Sequence, residues 1–559
     1  MGVQLPLIEQ YLGKQQDMRA VARFSALHEQ GKVCATDGLY EAQIPLSAPG
    51  PGQQYAFKVD LDACTGCKAC VVGCNKLNGL DGDEAWRAVG TLHGGGKTQK
   101  ALQQTVTAAC HHCVDPGCMK GCPVGAYEKD PTTGIVRHLD DQCIGCQYCT
   151  LTCPYEVPQY NERLGIVRKC DMCSDRLAEG EAPACVQSCP TGAITITLVD
   201  VPEVRRASAA GALVPGAPPS HLTVPTTTYR TSREAEEQGL PADYYAFKPA
   251  KPHLPLVVLL VSSQLSVGVF ALLAFLSFVP GGPVLPGGAV ALALAALAVT
   301  IGLLAAPLHL GRPLYAFRAF IGIRTSWMSR EAVALGLYGG AATVAAGLPF
   351  ALDIPVVREL AQNLPLDLRS IGPALIVPSA LLGVAAVVCS AMLYVVTGRQ
   401  FWSARPTLGR FFGTTLLLGL ATLAAAGIVG ATPATNGVPT RWVLALLMLV
   451  TIIKLAAESR ILRHQDGTSR DELWRSAELI TGPLFHLSSA RTTSGFLGGL
   501  ALPGLLLASL GTGGMGITTP LAILMLALCT LGELLERTLF FMAVAPLRMP
   551  GSFGKVSRV

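Results

Sequence analysis

The chain has 559 residues, 50% of them hydrophobic and only 14% charged, and its formal net charge is +5. Because soluble proteins carry ~25% charged residues, this composition excludes a wholly soluble protein, and the small net charge gives no indication of a nucleic-acid partner. The length predicts two or three domains; most charges fall in residues 1–250, whereas residues 254–545 are rich in Ala, Leu, Val and Gly.

Residues 1–54 are predicted to form an N-terminal extension to which we assign no chemistry. The opening stretch MGVQLPLIEQYLGKQQ has no basic region followed by an apolar core, so no secretory signal is expected. The extension leads through a Pro/Gly-rich stretch into the first domain, which we place at residues 55–200.

Cysteine spacing is the strongest signal in this domain. Sixteen of the nineteen cysteines form four consecutive quartets between Cys64 and Cys189. The first and third quartets have the C-x2-C-x2-C-x3-C spacing of bacterial ferredoxins. Because each [4Fe–4S] cluster needs four thiolates, the quartets predict four [4Fe–4S] clusters and the transfer of single electrons. Zinc ribbons are the alternative, but zinc ligands seldom occur as four tetrads with three-residue final gaps.

The segments between the quartets predict how they pair. Residues 125–137 are typical of a strand, a Pro/Gly turn and a second strand, so quartets two and three are expected to form an inner unit. Alternating segments at 55–59 and 193–198 flank quartets one and four, which are expected to form an outer unit.

In a two-cluster ferredoxin the fourth cysteine of each motif ligates the other cluster, and this rule predicts four ligand sets. The first set is Cys64, Cys67, Cys70 and Cys189. The second set is Cys170, Cys173, Cys185 and Cys74. The third set is Cys110, Cys113, Cys118 and Cys153. The fourth set is Cys143, Cys146, Cys149 and Cys122.

Residues 201–253 are rich in Pro, Ala, Thr and Ser, which favours a linker or a strap over the domain surface. The apolar part follows. A membrane-spanning helix needs about 20 mostly apolar residues, and eight stretches qualify: about 254–279, 288–306, 331–352, 373–396, 408–431, 440–460, 493–512 and 517–545. A basic C-terminal tail occupies 546–559. The sequence therefore predicts an α+β double ferredoxin-like domain with four clusters, followed by an all-α bundle of eight transmembrane helices.

The distribution of basic residues predicts the orientation in the membrane. The loops on the side of the cysteine-rich domain and the C-terminal tail hold fifteen Lys and Arg residues, whereas the opposite loops hold Arg358, Arg369 and Arg441. Because basic residues accumulate in cytoplasmic loops, we expect a multi-pass protein of the inner (cytoplasmic) membrane with its cysteine-rich domain in the cytoplasm.

Two ionisable residues near the ends of predicted spans are candidates for a quinol site. His309 closes span two and Glu331 opens span three, both on the side of the clusters. A quinol releases two protons with its two electrons, so its site needs a proton acceptor beside the electron path. The alternative is structural: His309 caps a helix and Glu331 pairs with an arginine. No paired histidines stand at haem-binding positions, so no haem is predicted.

Five charged residues lie in or near spans six and eight, and ion pairs between helices are their expected role. They are Lys454, Glu458, Glu533, Glu536 and Arg537.

Residues ~55–200, with the four quartets and the stretch Arg168-Lys-Cys-Asp-Met-Cys173, resemble the iron–sulfur subunit of bacterial dimethyl sulfoxide reductase. Residues ~254–545 resemble the membrane anchor of that enzyme through His309-Leu-Gly-Arg-Pro313 and Trp327-Met-Ser-Arg-Glu331. The family normally has two separate polypeptides, which are fused here.

The resemblance implies menaquinol binding at His309 and Glu331, with menaquinone or ubiquinone as the exchangeable substrate. It also implies a separate catalytic partner that carries a molybdopterin cofactor, for which this chain has no counterpart. Some relatives replace one cysteine of quartet three and hold a [3Fe–4S] cluster; Cys146 is present here, so four cubanes are expected.

Three functions follow as hypotheses. The first is an electron-transfer and anchor subunit that links the quinol pool to a molybdenum reductase in anaerobic respiration. The second is the same path run in reverse in a cytoplasm-facing sulfite-oxidising complex. The third is an ion-translocating redox module, against which the scarcity of charge within the spans argues.

Overall fold

The computed structural model describes residues 43–82, 84–94, 102–209, 211–232, 239–278, 287–362, 368–430, 438–467, 470–509 and 515–551. The N-terminal extension up to residue 42, with Cys34, and residues 552–559 of the C-terminal tail lie outside the described part of the chain.

The outer unit is held by a three-stranded sheet. Strand Gln53–Asp60 pairs antiparallel with Ile194–Asp200, so the segments before quartet one and after quartet four lie side by side. Thr228–Arg230 adds a short parallel strand on the other edge. Phe57 and Ile196, both buried, are directly paired on the two antiparallel strands. The predicted outer unit is therefore confirmed.

The inner unit contains the predicted hairpin between quartets two and three. Tyr127–Lys129 pairs antiparallel with Val136–His138. The turn is closed by Asp130, whose carboxylate accepts hydrogen bonds from the backbone N–H groups of Thr132 and Thr133 at 2.8 and 2.9 Å. These hydrogen bonds lower the pKa of Asp130, as expected for a carboxylate that accepts N–H groups in a turn.

Two further small sheets were not predicted from the sequence. One is a hairpin of Ala88–Gly94 and Leu102–Ala108, which Leu240–Pro241 extends. The other pairs Gln159–Asn161 with Ile166–Arg168. Residues 201–253 thus contribute strands to two sheets of the iron–sulfur domain, in addition to joining it to the membrane part.

In the part of the chain that the structure describes, eight helices are long and apolar enough to span a membrane. In chain order, which gives spans one to eight, they are Leu254–Ser277, Gly288–His309, Trp327–Ala351, Ser370–Val395, Ala404–Val429, Thr440–His464, Phe485–Ser509 and Ile517–Met542. Span seven begins eight residues before its predicted start at 493 and contains a π-helical turn at Leu497–Ala501. Arg491, predicted to lie in the loop before span seven, therefore lies inside that span.

Small residues allow close packing at the centre of this bundle. A Cβ atom added to Gly268 of span one would lie 2.9 Å from the Cα atom of Gly419 in span five. Helices in lipid approach this closely only where side chains are small. The hydroxyl groups of Ser266 and Tyr338 are 2.6 Å apart and tie span one to span three.

The two halves meet at the end of the bundle that carries the connection between spans two and three. The backbone N–H of Arg312 donates to the carbonyl of Ile144 at 3.0 Å, and the Ser326 hydroxyl donates to the carbonyl of Gly121 at 2.7 Å. Arg548, after span eight, pairs with Glu156 at 3.0 Å. The iron–sulfur domain therefore rests directly on one end of the membrane bundle.

Candidate functional site

Two of the four predicted ligand sets each line a cavity. Cys110, Cys113, Cys118 and Cys153 surround a space of about 370 Å³. Cys170, Cys173, Cys185 and Cys74 surround a space of about 250 Å³. In both cavities the fourth cysteine comes from the other quartet of the pair, because the paired strands bring the ends of the motifs together.

The members of the other two sets are also neighbours. In the first set, burial and the nearby thiols of Cys189 and Cys67 raise the pKa of Cys64. In the fourth set, burial and the nearby thiols of Cys122 and Cys143 raise the pKa of Cys146. Like charges disfavour ionisation of a neighbour, so these shifts place the thiols of each set close together.

Buried cations and backbone N–H groups surround the thiols. The guanidinium of Arg87 is buried among cysteines of the first two sets, and the thiolates of Cys185 and Cys70 raise its pKa despite burial. The thiolates of Cys110 and Cys118 likewise outweigh burial and raise the pKa of Lys169. Because four thiolates around an iron–sulfur cluster carry net negative charge, these residues fit such a cluster. Arg87 carries no motif that would have identified it from the sequence, and Lys169 lies within the stretch Arg168–Cys173, which does not by itself show that the lysine faces the thiols.

Within the described residues no three His, Cys, Asp or Glu side chains converge closely enough to hold one metal ion. A zinc ion would draw its four sulfur ligands to ~2.3 Å from a single centre. The backbone N–H groups of Ala126 and Met172 point at the sulfurs of Cys122 and Cys170, at 3.3 and 3.4 Å.

The four sets follow one another from the outer unit to the membrane. Cys70 of the first set neighbours Cys185 of the second, and Cys170 of the second neighbours Cys110 of the third. Tyr127 lies between Cys118 of the third set and Cys149 of the fourth. A linear series of this kind is what stepwise electron transfer requires.

The fourth set adjoins a cavity of about 740 Å³ between the iron–sulfur domain and the bundle. Cys146 and Tyr148 line it from the domain, and Glu331 and Met328 line it from span three. Further walls are mostly apolar or aromatic: Leu256, Leu260, Trp402 and Phe541. Concave, mainly apolar sites with a few polar groups are typical of small-molecule binding.

Glu331 lies at this cavity and has no ion-pair partner within the described residues. Its side chain is buried, with 9% of the residue exposed, and Ser390 is close enough to hydrogen bond to it. The neighbouring Arg330 turns away, because its guanidinium donates to the carbonyls of Ile323 and Arg324 at 3.1 and 2.7 Å. The arrangement leaves the carboxylate available to a ligand in the cavity.

His309 does not line the cavity. Its Nδ1 hydrogen bonds to the carbonyl of Ala306, as in the capping alternative, while its buried Nε2 has no partner among the described residues. His309 interacts electrostatically with His253, which does line the cavity. Burial lowers the pKa of His253 below its usual value, which favours the neutral ring, and a neutral ring can accept a hydrogen bond. The only sequence signal that could have pointed to His253 as a site residue is its position directly before span one.

Comparisons with known proteins match the iron–sulfur part and the membrane part of the chain to two different families. The family model described as DMSO reductase anchor subunit (DmsC) matches residues 249–542, and a 4Fe-4S dicluster domain matches residues 103–198. The chain is 37% identical over 200 residues to the B subunit of anaerobic dimethyl sulfoxide reductase from Escherichia coli K12, which covers 34% of this chain and 96% of that protein.

Other similar proteins include the B subunit of the Haemophilus influenzae enzyme, 35% identical over 34% of this chain and 94% of that protein. The formate dehydrogenase iron–sulfur subunit of the same organism is 36% identical over 29% of this chain and 56% of that protein. The chain therefore belongs to the dimethyl sulfoxide reductase anchor subunit (DmsC) family, and it joins to that membrane anchor, in one polypeptide, an electron-transfer iron–sulfur part homologous to the B subunit of the same enzyme.

Proposed function

We propose that the chain carries electrons between a quinone pool and a separate molybdopterin-dependent catalytic subunit, and that quinol is oxidised in the cavity beside Cys146. The observation that carries this proposal is the presence of Glu331 and Cys146 in the walls of one cavity. One residue offers a proton acceptor and the other belongs to the fourth ligand set, so protons and electrons can leave a bound quinol in different directions.

The sixteen cysteines hold four [4Fe–4S] clusters in this proposal, in the four sets given above. Each cluster, when bound, supplies one-electron transfer. The protein supplies the order of the sets and the buried cations Arg87 and Lys169, which stabilise negative charge near the thiolates. The cluster-four loop, residues 143–149, carries Cys143, Cys146 and Cys149. Tyr148 in this loop donates through its hydroxyl to the carbonyl of Leu393 at 2.6 Å and so fixes the loop to span four.

At the cavity, the side chains orient the quinol and take its protons. Glu331 accepts a proton from one hydroxyl group of the quinol. The neutral ring of His253 is placed to accept a hydrogen bond from the other hydroxyl group and so to orient it. His309 lies outside the cavity wall and acts as a positioning residue through its electrostatic interaction with His253. The apolar walls bind the ring and tail of menaquinol or ubiquinol and keep water out.

The partner and the direction of flow rest on the relatives. Similarity to the B subunit of anaerobic dimethyl sulfoxide reductase favours a molybdenum reductase partner and consumption of quinol. The reverse direction, in a sulfite-oxidising complex, uses the same cavity and the same clusters. The basic residues at the end of the bundle that contacts the iron–sulfur domain favour a cytoplasmic position for that domain.

Ion translocation gains no support from the membrane half. The buried carboxylates of spans six and eight are paired with Lys454, Arg491 and Arg537 at one end of the bundle. A conducting path would need such groups spread across the bilayer.

Filling the cavity tests its assignment without altering any proton acceptor. Met328→Trp adds bulk inside the cavity, and Leu337→Trp, at a 59% exposed position of the same span, is the matched control. In the purified complex with its catalytic partner, we expect Met328→Trp to lose quinol-dependent cluster reduction and quinol-analogue binding, while dithionite still reduces the clusters. Normal quinol kinetics in Met328→Trp would contradict the proposal.

A further inference from the structure

Seven charged side chains, five of them buried and two partly buried, lie together between spans five, six, seven and eight. Glu533 is central, with Lys454 Nζ 3.0 Å from its Oε2 and Arg491 Nη2 2.9 Å from its Oε1. The members are Arg410, Lys454, Glu458, Arg491, Glu533, Glu536 and Arg537. Ion pairs between helices are thus confirmed. Four cationic groups face three carboxylates, however, so the group as a whole has one positive charge in excess.

Of the four cations, Arg410 has the weakest interaction with a carboxylate of the cluster. Its Nε lies 3.9 Å from Glu536, and among the described residues its guanidinium makes no hydrogen bond. Its other close neighbours are the rings of Phe401 and Phe540, whose centroids lie 4.5 and 5.8 Å from Cζ. A buried guanidinium has five N–H donors to satisfy, so Arg410 has donors available for an anionic ligand.

A cavity of about 670 Å³ reaches these charges from outside the bundle. Arg410, Arg491, Glu458 and Glu536 lie in its wall, and Glu458 is already bound by Arg491 at 3.2 Å. The hydroxyl side chains of Ser459, Ser488 and Thr492 line the approach, and Ser459 and Thr492 are exposed on spans six and seven. The cavity therefore opens sideways, where acyl chains of the bilayer would lie.

The remaining wall is apolar. Leu455, Leu462 and Leu539 line it, and Leu462 is 39% exposed at the outer end of the opening. Arg460 and Arg463 lie exposed in the 3₁₀ turn that ends span six, on the same side. Among the described residues no cysteine lines this cavity.

We propose that this cavity binds an anionic phospholipid, with the headgroup phosphate at Arg410 and an acyl tail along Leu462. Basic pockets between membrane helices near the interface recognise anionic headgroups in this way. The phosphate supplies the missing negative charge, the Ser488 hydroxyl donates to one of its oxygens, and the apolar wall accommodates the tail. This inference is independent of the quinol site, which lies in a different cavity.

Lipid binding by the delipidated complex tests the proposal. Phosphatidylglycerol, phosphatidylcholine or inorganic phosphate is added back, and binding is followed by native mass spectrometry and thermal unfolding. We expect phosphatidylglycerol to bind about tenfold or more tightly than phosphatidylcholine, because both carry the phosphate but the choline cation of phosphatidylcholine cancels its negative charge beside the cationic cluster. Inorganic phosphate that stabilises the complex as well as phosphatidylglycerol would identify a free anion and overturn the lipid assignment.

Two variants and a control locate the effect. Arg410→Gln removes the charge, and Thr492→Phe blocks the exposed mouth without changing any charge. Both should lose the preference for phosphatidylglycerol. Arg358→Gln, at the opposite end of the bundle beside Asp353, should keep it. If Arg410→Gln fails to fold, the lipid preference of Thr492→Phe tests the proposal instead. A preference that survives in Thr492→Phe, or its absence from the unaltered complex, overturns the proposal.

Discussion

The thiol of Cys146 and the carboxylate of Glu331 line the same cavity, one from the cluster-four loop of the iron–sulfur domain and the other from the first turns of span three. They are brought together because the connection between spans two and three is bonded to that loop, with Gly311 and Arg312 donating to the carbonyls of Gly145 and Ile144. The electron path and the proton acceptor therefore meet at one point.

Replacing Glu331 by Gln should slow quinol oxidation by about 10²-fold or more, the range lost with a positioned general base. The amide has the size and polarity of the carboxylate and cannot accept the proton, so binding of a quinol analogue should remain near normal. Stopped-flow reduction of the clusters by menaquinol measures the rate, and analogue fluorescence quenching measures binding. Asp353→Asn, at the far end of the same span, is the control. A normal rate of quinol oxidation in Glu331→Gln would show that Glu331 is not the proton acceptor.

His253 and His309 should differ in their effects. His253 lines the cavity and His309 does not, so His253→Ala should mainly raise the KM for quinol and weaken analogue binding. His309→Ala should act through the position of His253, and His309→Gln, which retains a hydrogen-bonding group towards Ala306, should recover part of the loss. Steady-state kinetics with the intact complex separate KM from kcat. Identical profiles for His253→Ala and the Leu337→Trp control would contradict this assignment.

Sequence reasoning succeeded for those parts of the fold that follow from a local pattern, such as ligand spacing or the length of an apolar segment. Cysteine spacing and the flanking strands gave the nested units, and apolar length gave eight spans with ends within a few residues, except for span seven. The predicted span seven is too short because it leaves Arg491 in a loop, whereas the ion pair with Glu533 stabilises this arginine inside the bundle. Arg87, Lys169 and His253 were missed because only the tertiary fold places them beside the thiols and the cavity.

The cross-motif ligand sets predict which cysteines share a cluster. Cys122→Ser and Cys146→Ser come from different quartets but belong to one set, so both should alter the same cluster signal in electron paramagnetic resonance. Cys74→Ser should instead alter the signal affected by Cys173→Ser. Cys529→Ser, at a buried position in span eight, should alter none. Iron content well below four atoms for each of the four cubanes would contradict the count.

The contact between Gly311 and the cluster-four loop predicts an effect on electron transfer without loss of any ligand. An added Cβ on Gly311 would lie 2.6 Å from the hydroxyl oxygen of Tyr160 and would press on the backbone of Gly165. The connection between spans two and three must then move away from the loop that carries Cys143 and Cys146. We expect Gly311→Ala to keep all four clusters but to slow their reduction by quinol several-fold, whereas dithionite reduces them normally.

Gly340→Ala in span three is the matched control, since nothing lies within 4 Å of an added Cβ there. It should leave both reactions unchanged. Because electron transfer depends steeply on separation, a small displacement at Gly311 is sufficient to change the rate while the fold is retained. An unchanged quinol rate in Gly311→Ala would mean that the bundle and the cluster-four loop hold their spacing through the other contacts, chiefly Ser326 with Gly121.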